Sequence, residues 1–136
     1  METRDAEVAL AFIEAMGRGD AAAAADCLAP DAITVAHGTG KLAGTRRRDV
    51  ILATIAAFRE LFPGGMRPEI RSVTAGGGRV AVEFKGNAEL ADGTPYHNEY
   101  CMVFSLEGGR IARIDEYFCT LLADRVLGER VAPGER

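Results

Sequence analysis

The sequence predicts an α+β fold, helices first and an antiparallel sheet after, and three observations carry that prediction. Between Arg4 and Phe62 apolar residues recur at helical spacing, and after Pro63 the period shortens to alternation. The second half is also punctuated by glycine turns, in AGGG at 75–78, ADGT at 91–94 and EGG at 107–109, each flanked by β-prone residues. Because the two periods are segregated rather than alternating, helices are expected on one face of a curved antiparallel sheet, not between the strands of a parallel one.

In the first helix Val8, Ala9, Phe12, Ile13 and Met16 form one apolar stripe, and GRGD at 17–20 supplies the break and the next N-cap. The alanine-rich AAAAADCLA continues as a short second helix until Pro30-Asp31, since proline has no amide hydrogen to continue the ladder. AITVAHG is expected as a short strand because Ile33, Thr34 and Val35 are β-branched, and GTGKLAGT follows as a glycine-rich loop. A third helix starts at Asp49-Val50, presents Val50, Ile51, Ile55, Phe58, Leu61 and Phe62, and ends at Pro63-Gly64-Gly65. EIRSVTAGGGRVAVEF reads as two strands about a turn, YHNEYC at 96–101 opens the next, and LEGGRIARIDEYF holds the last hairpin. LLADRVLGERVAPGER reads as a short terminal helix with a frayed tail at 128–136; with no repeat or linker, one domain is expected over 1–136.

Composition excludes several classes. At 136 residues the chain is long enough to bury a core, and 48% hydrophobic with 26% charged residues is globular rather than disordered. Twenty acids against sixteen bases give a net charge of −4, which argues against a nucleic-acid partner; the basic run TRRRD at 45–49 reads as a solvated helix start. No apolar run has the length of a membrane span, and METRDAEVALAF carries acids where a signal peptide needs bases, so a cytoplasmic protein without membrane contact is expected. Cys27, Cys101 and Cys119 lack CxxC spacing, so neither a zinc site nor a disulfide framework is indicated, and no metal or cofactor is expected.

The order of GRGD after the first helix, LAPDAITV into the first strand and GGRIARIDEYFCT in the last hairpin resembles the nuclear transport factor 2-like superfamily. Within it the nearest likeness is to ketosteroid isomerases, SnoaL-like polyketide cyclases and limonene epoxide hydrolases. The resemblance implies a cone, a bent sheet wrapped around helices with a pocket at one end, and a homodimer through the outer sheet face. The apolar set Tyr100, Met102 and Phe104 fits such an interface if the other face of its strand lines the pocket. Strand parity puts Tyr96, Asn98 and Tyr100 on one face and His97, Glu99 and Cys101 on the other. Matching the family at Cys101 turns His97, Glu99 and Cys101 into the pocket; matching it at Met102 inverts the assignment.

An isomerase of this kind needs a base beside the substrate α-carbon and donors for the developing enolate. The resemblance places the base at His37, but the donor positions fall on Phe12 and on Cys101 or Met102, so Tyr96, Tyr100 or Tyr117 would have to donate from another direction. The charges of the epoxide-hydrolase mechanism fall on Phe84, Gly86 and Cys119, and the aspartate of the cyclases also falls on Cys119, so all are absent. Asp115 and Glu116 are of opposite parity, so only one of them points inward, and surface charge is the ordinary fate of such a pair.

The expected function is a cofactor-independent isomerase, cyclase or dehydratase acting on a small apolar molecule that bears a carbonyl or hydroxyl. Scytalone dehydratase, which uses histidines and tyrosines on this scaffold, fits the residue types better than the isomerase does. His37, His97 and Glu99 are the candidate catalytic residues, and Phe12, Phe58, Phe84, Cys101, Tyr117 and Cys119 the candidate pocket lining. The alternative is a non-catalytic module that binds a small ligand or a partner in the same fold.

Overall fold

In the computed structural model, which describes residues 2–136, the chain runs α1 (Glu2–Arg18), α2 (Ala21–Cys27), β1 (Leu28–Ala36), β2 (Gly44–Arg47), α3 (Arg48–Leu61), β3 (Arg67–Gly76), β4 (Arg79–Glu89), β5 (Pro95–Glu107), β6 (Arg110–Phe118) and α4 (Thr120–Leu127). The stripe in α1 is the one read from spacing: Ala9, Phe12, Ile13 and Met16 are buried. Gly19, at φ 68°, ends that helix in a left-handed turn that a side chain would strain, and Asp20 caps α2 by accepting from the Ala23 amide at 3.0 Å.

Six strands form one curved open sheet in the order β2-β1-β6-β5-β4-β3, with the helices against its inner face. Val80, Val82, Phe84, Met102, Phe104, Ile111 and Ile114 point inward and are buried; Phe12 meets Phe104 edge-on at 6.1 Å. The α+β class is as expected, with four differences. Strand β1 begins at Leu28 and takes Pro30 into its irregular first half, where a bulge relieves the need for that amide. Within the expected loop, GTRR forms β2, paired antiparallel to β1. The sheet is not wholly antiparallel, because β1 and β6 run parallel, Ala36 opposite Glu116.

The fourth difference concerns residues 128–136, which dock instead of fraying. Thr45 and Glu135 exchange backbone hydrogen bonds of 2.7 and 2.8 Å, and the Gly134 amide donates to Ala43 at 3.2 Å. The two backbones can approach so closely because Gly44 (φ 119°) and Gly134 face each other; a Cβ on Gly44 would lie 2.6 Å from the Gly134 carbonyl carbon. The tail therefore adds an edge to β2 at the open end of the cone.

Candidate active site

Burial decides the parity of β5. Met102, Phe104 and Leu106 are buried, which brings Tyr96, Asn98 and Tyr100 to the same inner face. The expectation that His97, Glu99 and Cys101 face the pocket is therefore corrected: they lie on the outer face, and the register through Met102 is the one adopted. Core packing fixes it, since a one-residue shift would carry Met102 and Phe104 into solvent. The same finding removes Tyr100, Met102 and Phe104 as a subunit interface.

A cavity of about 120 Å³ opens between α1, α3 and the inner sheet face. Its walls are apolar, with Phe12, Ile51, Ile55, Phe58, Phe62, Met66 and Met102 among them. Few polar side chains join that lining: Thr34, Arg46, Thr54, Tyr96, Tyr100 and Glu116.

Glu116 comes from β6, between Ala36 of β1 and Met102 of β5, two neighbours whose side chains offer its carboxyl no hydrogen bond. Burial holds its carboxyl above the usual carboxylate range, against the opposing attraction of Arg46 and His37. Two residues along β5 from Met102, Tyr100 lies diagonally across from Glu116 on the same face, a separation of roughly 7–8 Å between backbones.

The tyrosines form a chain. The Asn98 amide, fully buried behind the cavity, donates to the Tyr96 hydroxyl at 2.9 Å, and the hydroxyls of Tyr96 and Tyr100 are 2.7 Å apart. Asn98 is itself held by the Cys119 carbonyl at 3.1 Å and by the Glu99 amide, which donates to its Oδ1 at 2.8 Å. Burial raises the pKa of Tyr96 and raises that of Tyr100 well above the ordinary tyrosine value, so both remain hydroxyl donors at neutral pH. The result is a preorganised chain of hydroxyls, with one O–H left free to donate, facing the same space as a carboxyl group.

Arg46 completes the polar lining. Within the TRRRD run Arg47 and Asp49 are exposed at the start of α3, but Arg46 is only 8% exposed, and its Nη1 and Nη2 donate to the carbonyls of Leu42 (3.0 Å) and Ala132 (2.6 Å). Its Nε is buried without a partner, and desolvation pulls its pKa below the ordinary arginine value.

Of the residues expected at the site, Phe12 and Phe58 line the cavity and Phe84 lies deeper, stacked on Tyr100 at 5.1 Å. His37 points outward with Asp115, to which its Nε2 bonds at 2.8 Å; Arg113 donates to the same carboxylate, and the His37 ring stacks on Tyr117 at 4.6 Å. His97 is exposed and donates from Nδ1 to Asn87, while Glu99 pairs with Arg71 across the sheet surface. Cys101 is half-buried opposite Tyr117, and burial pushes its thiol up, away from thiolate character. Cys119 is exposed at the start of α4.

The three expected catalytic residues are thus not brought together, and none lines the cavity. Glu116, Tyr100 and Asn98 were not among the expected site residues; Tyr100 entered only as a donor from another direction, and Asn98 and Tyr100 only through the alternative register at Met102. The signal that could have found them is the apolar run Met102, Phe104, Leu106, which commits one parity of β5 to the core. Among the described residues no group of three or more His, Cys, Asp or Glu side chains is placed to hold a metal ion, and no helix is long and apolar enough to cross a membrane.

A family model described as the SnoaL-like domain matches residues 9–114. Solved structures with a similar fold include a nuclear transport factor 2-like protein from Burkholderia xenovorans, 22% identical, with 93% of this chain and 97% of that one covered and a TM-score of 0.72. A putative SnoaL-like polyketide cyclase from Jannaschia sp. is 15% identical over 93% of each chain, with a TM-score of 0.77. TerC, co-crystallised with polyporic acid, is 22% identical over 91% of this chain and 98% of its own, with a TM-score of 0.75. No curated protein sequence matches the chain significantly.

Proposed function

The chain belongs to the SnoaL-like domain family, and on that footing we propose that it is a cofactor-independent acid–base enzyme whose substrate is a small apolar carbonyl compound. The observation that supports this reading is the single carboxyl group of the lining, Glu116, its pKa raised by burial, which opens into the same apolar cavity as the Asn98–Tyr96–Tyr100 chain. In this reading the Glu116 carboxylate removes the proton α to the carbonyl, and the resulting enolate oxygen accepts a hydrogen bond from Tyr100. Tyr96 and Asn98 hold that hydroxyl in place, so little reorganisation is needed as charge develops.

The fate of the enolate defines the reaction. Return of the Glu116 proton at another carbon is isomerisation; loss of a β-hydroxyl, protonated by Glu116 as it departs, is dehydration; attack on a second carbonyl in the same molecule, followed by protonation of the new alkoxide, is cyclisation. Phe12 and Phe58 pack the apolar body of the substrate. The likeness in fold to a putative polyketide cyclase from Jannaschia sp. and to TerC, co-crystallised with polyporic acid, is compatible with carbonyl-bearing substrates.

The test is α-proton exchange. Small cyclic ketones incubated with the protein in D2O are expected to lose α-hydrogen signal by NMR faster than in buffer. Glu116→Gln should reduce that rate roughly 10²-fold or more, and Tyr100→Phe roughly 10²–10³-fold. Ketones that bind without wild-type exchange would make the protein a binding module instead. We further propose a homodimer formed through the outer sheet face, where Tyr117, 48% exposed, adjoins Cys101 and Val103. A sole monomer at micromolar concentration in sedimentation equilibrium refutes it.

A further inference from the structure

We propose that the cavity takes a molecule of about one ring bearing a single anionic oxygen group, and that Arg46 is the residue that anchors that group. The inference names the substrate class of the site described above and rests on that reading for the chemistry, though the anchor does not require Glu116 to be catalytic.

Size sets the first limit. About 120 Å³ is on the scale of the roughly 150 Å³ cavities that take up benzene, and well short of a fused four-ring body. The walls set the second: Ile51, Ile55, Phe58, Phe62, Met66 and Met102 reward an apolar ring.

Arg46 sets the third. A guanidinium carries five N–H donors and a permanent charge, and burying it is costly unless it is both bonded and paired. Here two donors are used by the Leu42 and Ala132 carbonyls, and Nε has no partner. None of the ion pairs among the described residues involves Arg46. Glu116, the one carboxyl in the lining, acts on it through space but makes no bond to it. A fixed, underbonded cation on the wall of an apolar cavity prefers an anion there.

Holding the tail does not account for the charge. Any long neutral donor could bond the Ala132 carbonyl without the desolvation cost. The carbonyl bonds instead fix the guanidinium in advance, so an entering carboxylate or acidic enol meets an oriented partner.

Matched probes test the anchor. 4-Fluorobenzoate and 4-fluorobenzamide differ in charge but hardly in shape, and their affinities for the full chain at pH 7 can be read by fluorine NMR. Wild type is expected to prefer the benzoate at least about tenfold. Arg46→Gln should abolish or reverse the preference while fluorobenzene binds within about threefold of wild type, which shows the cavity intact. If Arg46→Gln does not fold, Arg46→Lys carries the test, with a preference reduced at least threefold because the fork is lost. Equal binding, preference for the amide or binding of neither probe by wild type overturns the proposal, as does a preference that survives Arg46 substitution. Benzoate selectivity without α-proton exchange would leave the anchor standing and sink the acid–base reading; exchange without selectivity would do the reverse.

Discussion

Replacing Asn98 by leucine keeps the side-chain volume close to native and removes only its hydrogen bonds. Those bonds are three: donation to Tyr96 at 2.9 Å, donation to the Cys119 carbonyl at 3.1 Å and acceptance from the Glu99 amide at 2.8 Å. At a net value of about 1 kcal/mol each they sum to about 3 kcal/mol. The Cys119 carbonyl, left unpaired in a part-buried setting, adds up to about 1 kcal/mol more. A loss of about 3–4 kcal/mol is a large part of the 5–15 kcal/mol typical of a domain, and corresponds to a drop in Tm of roughly 10 °C or more. Urea unfolding followed by circular dichroism measures it, together with Tyr96→Phe and the double variant. Because Asn98 and Tyr96 share a bond, the double variant should lose about 1 kcal/mol less than the sum of the singles. A loss below about 1 kcal/mol, or strict additivity, would refute the claim that Asn98 fixes the tyrosine chain.

Other expectations are briefer. His97→Ala and Glu99→Ala, both on the outer face, should change stability by no more than about 0.5 kcal/mol and leave any α-proton exchange at wild-type level; a tenfold loss of exchange would return His97 to the site. Gly44→Ala combines a positive φ with a clash against Gly134, so it should cost about 1–3 kcal/mol and release the tail, seen as faster hydrogen exchange at the Thr45 and Glu135 amides. The Asp115 carboxyl is held below 3.8 first by Arg113 and also by His37, so the stability it contributes is present above that pH and lost as pH falls through the folded value. The gap in urea midpoint between wild type and Asp115→Asn should therefore close below about pH 4. Glu116 has the opposite sign: its folded pKa lies above 4.5, so wild type loses stability as pH rises from there, and Glu116→Gln should flatten that slope. An unchanged slope would mean that Glu116 is not desolvated.

The class of fold was legible in the chain because it follows from local periodicity. Phe12, Ile13 and Met16 have to share a helix face, and the glycine pairs at 77–78 and 108–109 have to turn, whatever else the chain does. Phe12 and Phe58 both lie in the cavity lining. What periodicity cannot supply is sign. It divided Tyr96, Asn98 and Tyr100 from His97, Glu99 and Cys101, and divided Asp115 from Glu116, but which set faces inward depends on the burial of Met102, Phe104 and Ile114 against the helices, a cooperative choice of the whole sheet. The parallel pairing of β1 with β6 joins segments about eighty positions apart and has no local signature. Nor does the docking of Glu135 beside Thr45, which turns an apparently solvated Arg46 into a buried one. The residue types for acid–base chemistry were set by the sequence, while their convergence on one small apolar cavity was decided by tertiary packing, because only packing removes the water that would otherwise leave Glu116, Tyr100 and Arg46 ordinary.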